Sequence, residues 1–501
     1  MLKRWKSLPG YLVSVGVHGI LMLLLLHLYL PNPFRAFQEI LFQPGFSEHS
    51  EVFVKLGSPD ASTGDLTDVF DGDFIVAVPV QTAVTQAIPM EFATPALPGR
   101  LQTNSWASTA SEHTTMFTDS RNSGFGGRGD GKGLLLTQYG GSEGSEKSVA
   151  LGLEWLAAHQ NPNGSWSYKC LRCKVGCDKP RSECKRKCHT PNLHTSSNSA
   201  TALAILPFLG SGITPQTGDA RYRQVVDRGL KFLLQNGKRR PEGLSFIDST
   251  VGPMYHHGIT TIAICEAAAM TQDATLQEAA QQAVNFICQA QIPTDGGWRY
   301  QPRDPLGGNT SVFGWQIMAL KSGQIGGVHV PNEVFFKAQR FLDSVVGIDQ
   351  DSMYGYESSG DLHVNRGVPI EYRRATSAIG LLSRMYMGWN ADHPSLIRGI
   401  EYLAAKGPDS DNLYYNYYAT QVMHHYGGEA WKRWNLEQRD SLIARQTLEG
   451  HERGSWYFCG QWNDEGGRLY TTSLAMMILE VYYRHLPLYQ KQAAESEFPL
   501  D

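Results

Sequence analysis

The sequence predicts an all-α protein: an α6/α6 toroid, a double ring of helices, preceded by one transmembrane helix and a disordered tether. Three observations carry this reading. A phrase of an aromatic or Leu, an aliphatic, a Gln a turn later, then Gly and an aromatic recurs through the last two-thirds of the chain. A more apolar, small-residue-rich segment follows every copy. An uncharged apolar run opens the chain behind Lys3, Arg4 and Lys6.

In chain order, residues 1–10 form a basic N-terminus and residues 11–31 a span long enough to cross a bilayer as a helix. Positive residues stay on the cytoplasmic side, which places the remaining chain outside. The run ends in Leu28-Tyr29-Leu30-Pro31 without a small-x-small cleavage site, so it reads as an uncleaved signal anchor. The expected location is the inner (cytoplasmic) membrane, single-pass, with the C-terminal domain in the periplasm. Residues 32–141, rich in Gly, Ser, Thr, Ala and Asp, have no sustained period and read as a low-complexity tether. The glycine cluster Gly124 to Gly133 fits G-x-G-x-x-G, but with no strand before it and no helix placed after it, nucleotide binding is not expected.

Residues 142–490 hold the repeats, and 491–501 are a tail. Full copies of the phrase are Trp155-Leu156…Gln160…Gly164-Ser165-Trp166, Phe286-Ile287…Gln291…Gly296-Gly297-Trp298 and Leu442…Gln446…Gly454-Ser455-Trp456. Degenerate copies surround Phe232-Leu233, Phe341-Leu342 and Tyr402-Leu403, making six. A period of roughly 40 to 60 residues signals a repeat architecture. Each phrase closes one helix, with Gly as its left-handed stop and the aromatic folding back over its end. The segments that follow run from Ser199 to Leu209, His257 to Met270, Thr310 to Lys321, Thr376 to Met387, Tyr414 to Tyr426 and Tyr470 to Tyr483. Six helices apolar nearly all round must be buried, while six with one charged face can meet water. Two concentric rings satisfy both.

These phrases resemble the QW motif of the squalene-hopene and oxidosqualene cyclases, and the related prenyltransferase and squalene oxidase repeats. The resemblance covers about 350 residues and implies the toroid of the terpenoid cyclase and protein prenyltransferase superfamily, whose members hold isoprenoid chains in an aromatic-lined cavity. The reactive centres of that superfamily are missing from the sequence. It has no D-x-D-D acid, no D-x-C zinc pair in the toroid and no G-C-G-E-Q thioester. Among carboxylates available to a relocated acid, Glu371, Asp304 and Glu266, the last is the catalytic candidate, since burial in an apolar helix would raise its pKa.

Polar and aromatic residues gather at what read as inner-helix starts: Tyr255, His256 and His257; Trp315 and Gln316; Glu371, Tyr372, Arg373 and Arg374; Tyr414, Tyr415, Asn416, Tyr417 and Tyr418; His424 and His425; Arg468 and Tyr470. Such starts converge on one mouth of a toroid, where helix dipoles favour an anionic group. The expected ligand contacts are His257, Trp315, Tyr372, Arg373, Arg374, Tyr415, Tyr418 and Arg468, the arginines on an anionic head and the aromatics on an apolar tail. The alternative use of these Tyr and His residues is packing between the rings.

A basic insertion at 168–195 carries Cys170, Cys173, Cys177, Cys184 and Cys188, followed by His189 and His194. Outside the cytoplasm this cluster reads as disulfides, with zinc as the alternative. No other cofactor is expected. Within the span, Ser14 and His18 lie four apart on one helical face, and Ser14-Val15-Gly16-Val17-His18 is similar to the S-x-x-x-H signature of TonB-type energy transducers. That likeness, confined to one helix, implies contact with a motor complex of the ExbB and ExbD type.

With 44 Lys plus Arg against 48 Asp plus Glu, the net charge of −4 excludes a dedicated nucleic-acid binder. The functional expectation is a membrane-anchored protein in contact with membrane lipid, binding a lipid or isoprenoid-like ligand without the usual cyclase or transferase chemistry. The alternatives are an atypical cyclase or transferase with a relocated acid, and an envelope scaffold coupled to the motor complex.

Overall fold

The computed structural model describes residues 125–129, 131–168, 195–347, 351–357, 374–458 and 461–489, which belong to one compact unit. The anchor with Ser14 and His18, nearly all of the tether, the cysteine cluster, Tyr372 and Arg373 lie outside the described residues. Among the described residues no helix is long and apolar enough to cross a membrane.

Helices dominate. A short helix α1 (Lys132–Gln138) precedes six helix pairs: α2 (Glu143–Ala158) with α3 (Ser197–Gly210), α4 (Ala220–Asn236) with α5 (Pro253–Thr271), α6 (Ala274–Ala290) with α7 (Thr310–Ile325), α8 (Asn332–Val345) with α9 (Arg374–Tyr386), α10 (Pro394–Lys406) with α11 (Leu413–Tyr426), and α12 (Gly428–Arg445) with α13 (Gln461–Leu479). A one-turn helix α14 (Val481–Arg484) ends the domain, and a two-stranded hairpin, β1 (Lys238–Arg240) on β2 (Gly243–Ser245), links α4 to α5.

The second member of each pair packs on the second member of its neighbours, in the order α3, α5, α7, α9, α11, α13, and α13 returns to α3. This closed inner ring is the reason those helices are apolar all round. Every residue of α3 from Asn198 to Gly210 is buried, whereas α4 buries only one stripe, Tyr222, Val225, Val226, Gly229, Leu230 and Leu233. Four of the outer helices begin on side-chain caps where the chain must turn, as where Asp219 accepts from the Arg221 amide and Asp273 from the Leu276 amide, while α8 and α12 start at Pro331 and Gly427 without one.

The repeated phrase is a staple between pairs. Gln160 Nε2 donates to Gly164 O at 2.9 Å and, across the junction, to Val225 O of α4 at 2.8 Å. Gln291 does the same to Gly296 O and Val334 O of α8, and Gln446 to Gly454 O and Ser148 O of α2. Each Trp folds back as its phrase predicts: the indole N–H of Trp166, Trp298 and Trp456 donates to Leu156, Ile287 and Leu442 O at 2.8, 2.9 and 2.7 Å. The glycine of each staple has positive φ, between 84° and 91°, and a Cβ there would strike a backbone carbonyl of the next outer helix, at Arg228, Lys337 or Leu151. Left-handed backbone and close approach together leave glycine as the residue that fits.

One boundary differs from the sequence reading. Residues 125–129 and 131–138, assigned to the tether, fold onto the domain: a 3₁₀ turn, Gly126–Arg128, and α1 pack against α14. Gly127 sits so close to Leu135 and the Tyr483 carbonyl that any side chain would collide, and Arg128 is buried. The described glycines of the cluster, from Gly126 to Gly133, are thus part of the fold. The cluster mimics a linker in composition because tight backbone packing also selects glycine.

Candidate functional site

The inner helices run parallel, so their N-terminal ends share one mouth. Across it the hydroxyls form two chains. Tyr255 of α5 bonds Ser311 Oγ of α7, which bonds Tyr414 of α11 at 2.9 Å, and the Tyr414 hydroxyl also approaches the Ser311 carbonyl at 3.0 Å. On the other side, Tyr168 bonds Ser199 Oγ of α3 at 2.9 Å, and Ser199 bonds His256 Nδ1 at 2.9 Å. His256 Nε2 lies 2.6 Å from the Val251 carbonyl, so the ring donates there and accepts from Ser199. Tyr300 and Tyr356, from the loops entering α7 and α9, share a hydrogen bond of 2.6 Å. Tyr470 stands on α13 after the break at Gly467, whose φ of 62° interrupts the helix.

Beneath these phenols aromatic side chains reach across the barrel. Although α9 separates α7 from α11, Trp315 of α7 stacks on Tyr417 of α11 at 5.7 Å between centroids and meets Tyr418 edge-on at 6.0 Å. Trp315 is 2 % exposed and Tyr418 fully buried, so the aromatic cluster is a floor under the mouth. Burial pushes the phenols of Tyr255, Tyr356, Tyr418 and Tyr470 well above the usual tyrosine value. It holds the His256 imidazole down to about 4, so this imidazole and these phenols are neutral near pH 7.

The expected ligand contacts divide. Trp315 and Tyr418 lie at this floor. Arg374 and Arg468 are near the mouth, but each has a carboxylate: Arg374 pairs with Asp409 at 3.2 Å and Arg468 with Glu452 at 3.7 Å, Arg468 also donating to Ser455 Oγ at 2.9 Å. Arg299, which the sequence reading passed over, pairs with Glu357 at 2.8 Å. His257 and Tyr415 serve the packing between rings instead. His257 Nδ1 accepts from the Phe246 amide at 3.2 Å and Nε2 lies 3.1 Å from Ala283 O of the outer helix α6, leaving no nitrogen for a ligand. Tyr415 donates to Gly407 O and lies edge-on to Trp434 of α12.

His424 and His425 are not at the mouth. They occupy the last turn of α11, roughly 15 Å along the axis from its first turn. The error arises because a His pair carries no signal of which helix end it occupies.

Glu266, the catalytic candidate, sits toward the opposite end in a buried ionic cluster. Arg484 Nη2 lies 2.9 Å from both of its carboxylate oxygens, and Arg128 Nη1 is 2.7 Å from Oε2. Arg484 also donates to Leu206 O at 2.7 Å and stands 3.5 Å from Glu480, which accepts from Ser211 Oγ at 2.9 Å. Arg128 comes from before α1 and Arg484 from α14, so the two ends of the domain meet on an inner helix. Glu266 thus has two guanidinium partners where an apolar surrounding was expected, and its local role is structural. Both arginines are distant in sequence from Glu266, which is why the pairing was invisible there. Asp304 caps its own turn, accepting from the Leu306 amide at 3.1 Å. Glu371 and the cysteine cluster with its disulfide or zinc alternatives lie outside the described residues, among which no three His, Cys, Asp or Glu side chains are grouped to hold a metal.

No protein-family model matches the chain, and no curated protein is similar to it. Solved structures give remote likenesses. An inactive variant of the alpha-1,6-mannanase GH76A of Salegentibacter sp. HEL1_6 is 13 % identical over 68 % of this chain and 99 % of its own, with a TM-score of 0.45. A GH76 alpha-mannanase of Bacteroides thetaiotaomicron is 12 % identical over 70 % and 98 %, with a TM-score of 0.47. A variant of the type II terpene cyclase MstE from Scytonema, in complex with geranylgeranyl dihydroxybenzoate, is 14 % identical over 70 % and 98 %, with a TM-score of 0.41. At these scores the toroid rests on the ring closure described above.

Proposed function

We propose that this chain is a membrane-anchored, periplasm-facing binding protein that takes a lipid or isoprenoid-like ligand at the tyrosine-lined mouth, without cyclase or prenyl-transfer chemistry. The observation that carries the reading is the cross-ring floor of Trp315, Tyr417 and Tyr418 beneath a ring of hydroxyls. An aromatic floor with a few convergent polar groups suits ligand capture. A reaction needing a strong acid has no support from Glu266, which is engaged by two arginines. The anchor, the periplasmic location and a motor-complex contact through Ser14 and His18 rest on the N-terminal sequence alone.

A second reading, the envelope scaffold, is favoured by the same aromatic floor, since its side chains reach across the barrel. Native mass spectrometry of the full chain released from membranes, with lipid extraction, separates the two. A discrete apolar species at one per chain supports the binding reading, and a bare protein mass after gentle release supports the scaffold.

A further inference from the structure

The last described stretch of the chain, residues 481–489, lies across the end of the barrel opposite the mouth. Arg484 donates from Nη1 to Leu206 O of α3 at 2.7 Å and from Nη2 to Glu266 of α5 at 2.9 Å. The next residue, His485, accepts on its carbonyl from His424 Nε2 of α11 at 2.9 Å. In the ring order α5 and α11 stand on opposite walls, so two consecutive residues bridge the width of the barrel. Farther on, the Tyr489 hydroxyl donates to Trp389 O in the loop after α9. Arg128 joins this strap from the other terminus, donating from Nη2 to Arg484 O at 3.2 Å.

Three imidazoles meet where the strap crosses α11. The rings of His424 and His425 lie 5.9 Å apart between centroids, and those of His425 and His485 6.0 Å apart. Each keeps one buried nitrogen without a hydrogen-bond partner: Nδ1 of His424, Nδ1 of His425 and Nε2 of His485. A neutral ring can leave that nitrogen bare, whereas a charged ring carries N–H on both nitrogens. Whatever the tautomer, protonation therefore creates a buried donor with no acceptor, which is costly.

The surroundings do not offset the charge. His424 packs edge-on to Tyr139, just after α1, and to Trp431 of α12. His425 meets Tyr386 of α9 and feels Lys321 of α7, while His485 feels Arg484 and Arg128. The carboxylates of this end, Glu266 and Glu480, are engaged by the arginines. Burial holds His424 down to about 4 and, with the cations, His425 and His485 well below 6.5. Neutral rings thus favour the closed strap above pH 6.5, and that contribution is lost as pH falls. The inner ring does not need the strap, because it closes through α13 on α3 and through the Gln446 staple.

From this arrangement we infer that residues 481–489 are an acid-released strap: protonation of His424, His425 and His485 frees it with the Arg128 turn and uncovers the Glu266 end of the barrel, while the helix rings stay closed. The inference is independent of what binds at the mouth.

Hydrogen–deuterium exchange of the full chain in nanodiscs at about pH 7.5 and about pH 5, with labelling times scaled for the intrinsic pH dependence of exchange, reads the strap directly. Amides of 481–489 and 125–129 are expected to lose at least about tenfold in protection at the lower pH, and those of α5 and α7 much less. His424→Gln, His425→Gln and His485→Gln together should bring the two pH values within about twofold of each other at the strap. Acid release that persists in this variant would put the switch on Glu266 and overturn the role of the imidazoles. If the variant does not fold, imidazole NMR of the native chain decides, since rings that titrate while 481–489 keep their protection contradict the inference. Equal protection at both pH values, or loss spread evenly over all helices, also overturns it.

Discussion

Gln446, in the last repeat, donates to the Ser148 carbonyl in the first at 2.8 Å, so one side-chain amide closes a ring whose ends are 298 residues apart. The same amide also holds Gly454 O at 2.9 Å. Gln446→Ala leaves two buried carbonyls without this donor and should cost about 1–3 kcal/mol, measured by urea unfolding. Gly454→Ala should cost at least as much, because its φ of 91° and the Leu151 carbonyl both exclude a methyl group.

The Glu266 cluster is predicted to govern folding. Glu266→Gln removes the charge facing two buried guanidinium groups and should lower stability by about 3–5 kcal/mol. Replacing Glu266, Arg128, Arg484 and Glu480 together with apolar residues of similar volume should cost much less, since no member of the buried cluster is then left without its partner. If the single substitution left urea unfolding unchanged while abolishing a reaction, the relocated-acid reading would return.

Because Arg128 belongs to that cluster, the domain starts before α1. A chain begun at residue 135 should unfold more readily than one begun at residue 110, by an amount comparable to Arg128→Met in the longer chain. Equal urea midpoints for the two lengths would restore the tether boundary at 141.

Stability should peak close to pH 6.5. Burial holds His256, His257 and His424 down to about 4, below their ordinary 6.5. Their contribution is therefore complete above 6.5 and is lost as pH falls through 4. Burial raises Glu480 to about 8, opposed by Arg484, so its contribution is present below its ordinary 4.5 and is lost as pH rises through 8. Burial also holds His425 and His485 well below 6.5, so five histidines against one glutamate make the acid side the steeper. Thermal melts from pH 4 to 9 should show this asymmetry, and Glu480→Gln should flatten the alkaline side.

The fold was largely legible because its signals are local and repeated. Apolar segments without a polar face can only be inner helices, and Gln160, Gln291 and Gln446 with their glycines and tryptophans mark where a pair ends. The mouth was legible in part. Trp315 and Tyr418 were found by their place on inner helices, whereas His257 and Tyr415, each next in sequence to a mouth residue, His256 or Tyr414, turn toward the outer ring, since adjacent residues on a helix face different directions. Pairing across the ring was not legible at all: nothing local to Arg374 announces Asp409, and nothing local to Glu266 announces Arg128 or Arg484. Long-range ion pairs turned candidate ligand groups into structural ones.

The central claim is that a ligand sits at the inner-helix starts. Hydrogen–deuterium exchange on the full chain in nanodiscs, with and without the apolar species recovered by lipid extraction, tests this directly. The account predicts added protection in the opening turns of α5, α7 and α11, around Tyr255, Ser311 and Tyr414, and none around α14. Protection confined to α14 and the Arg128 turn would contradict it and move the site to the other end of the barrel.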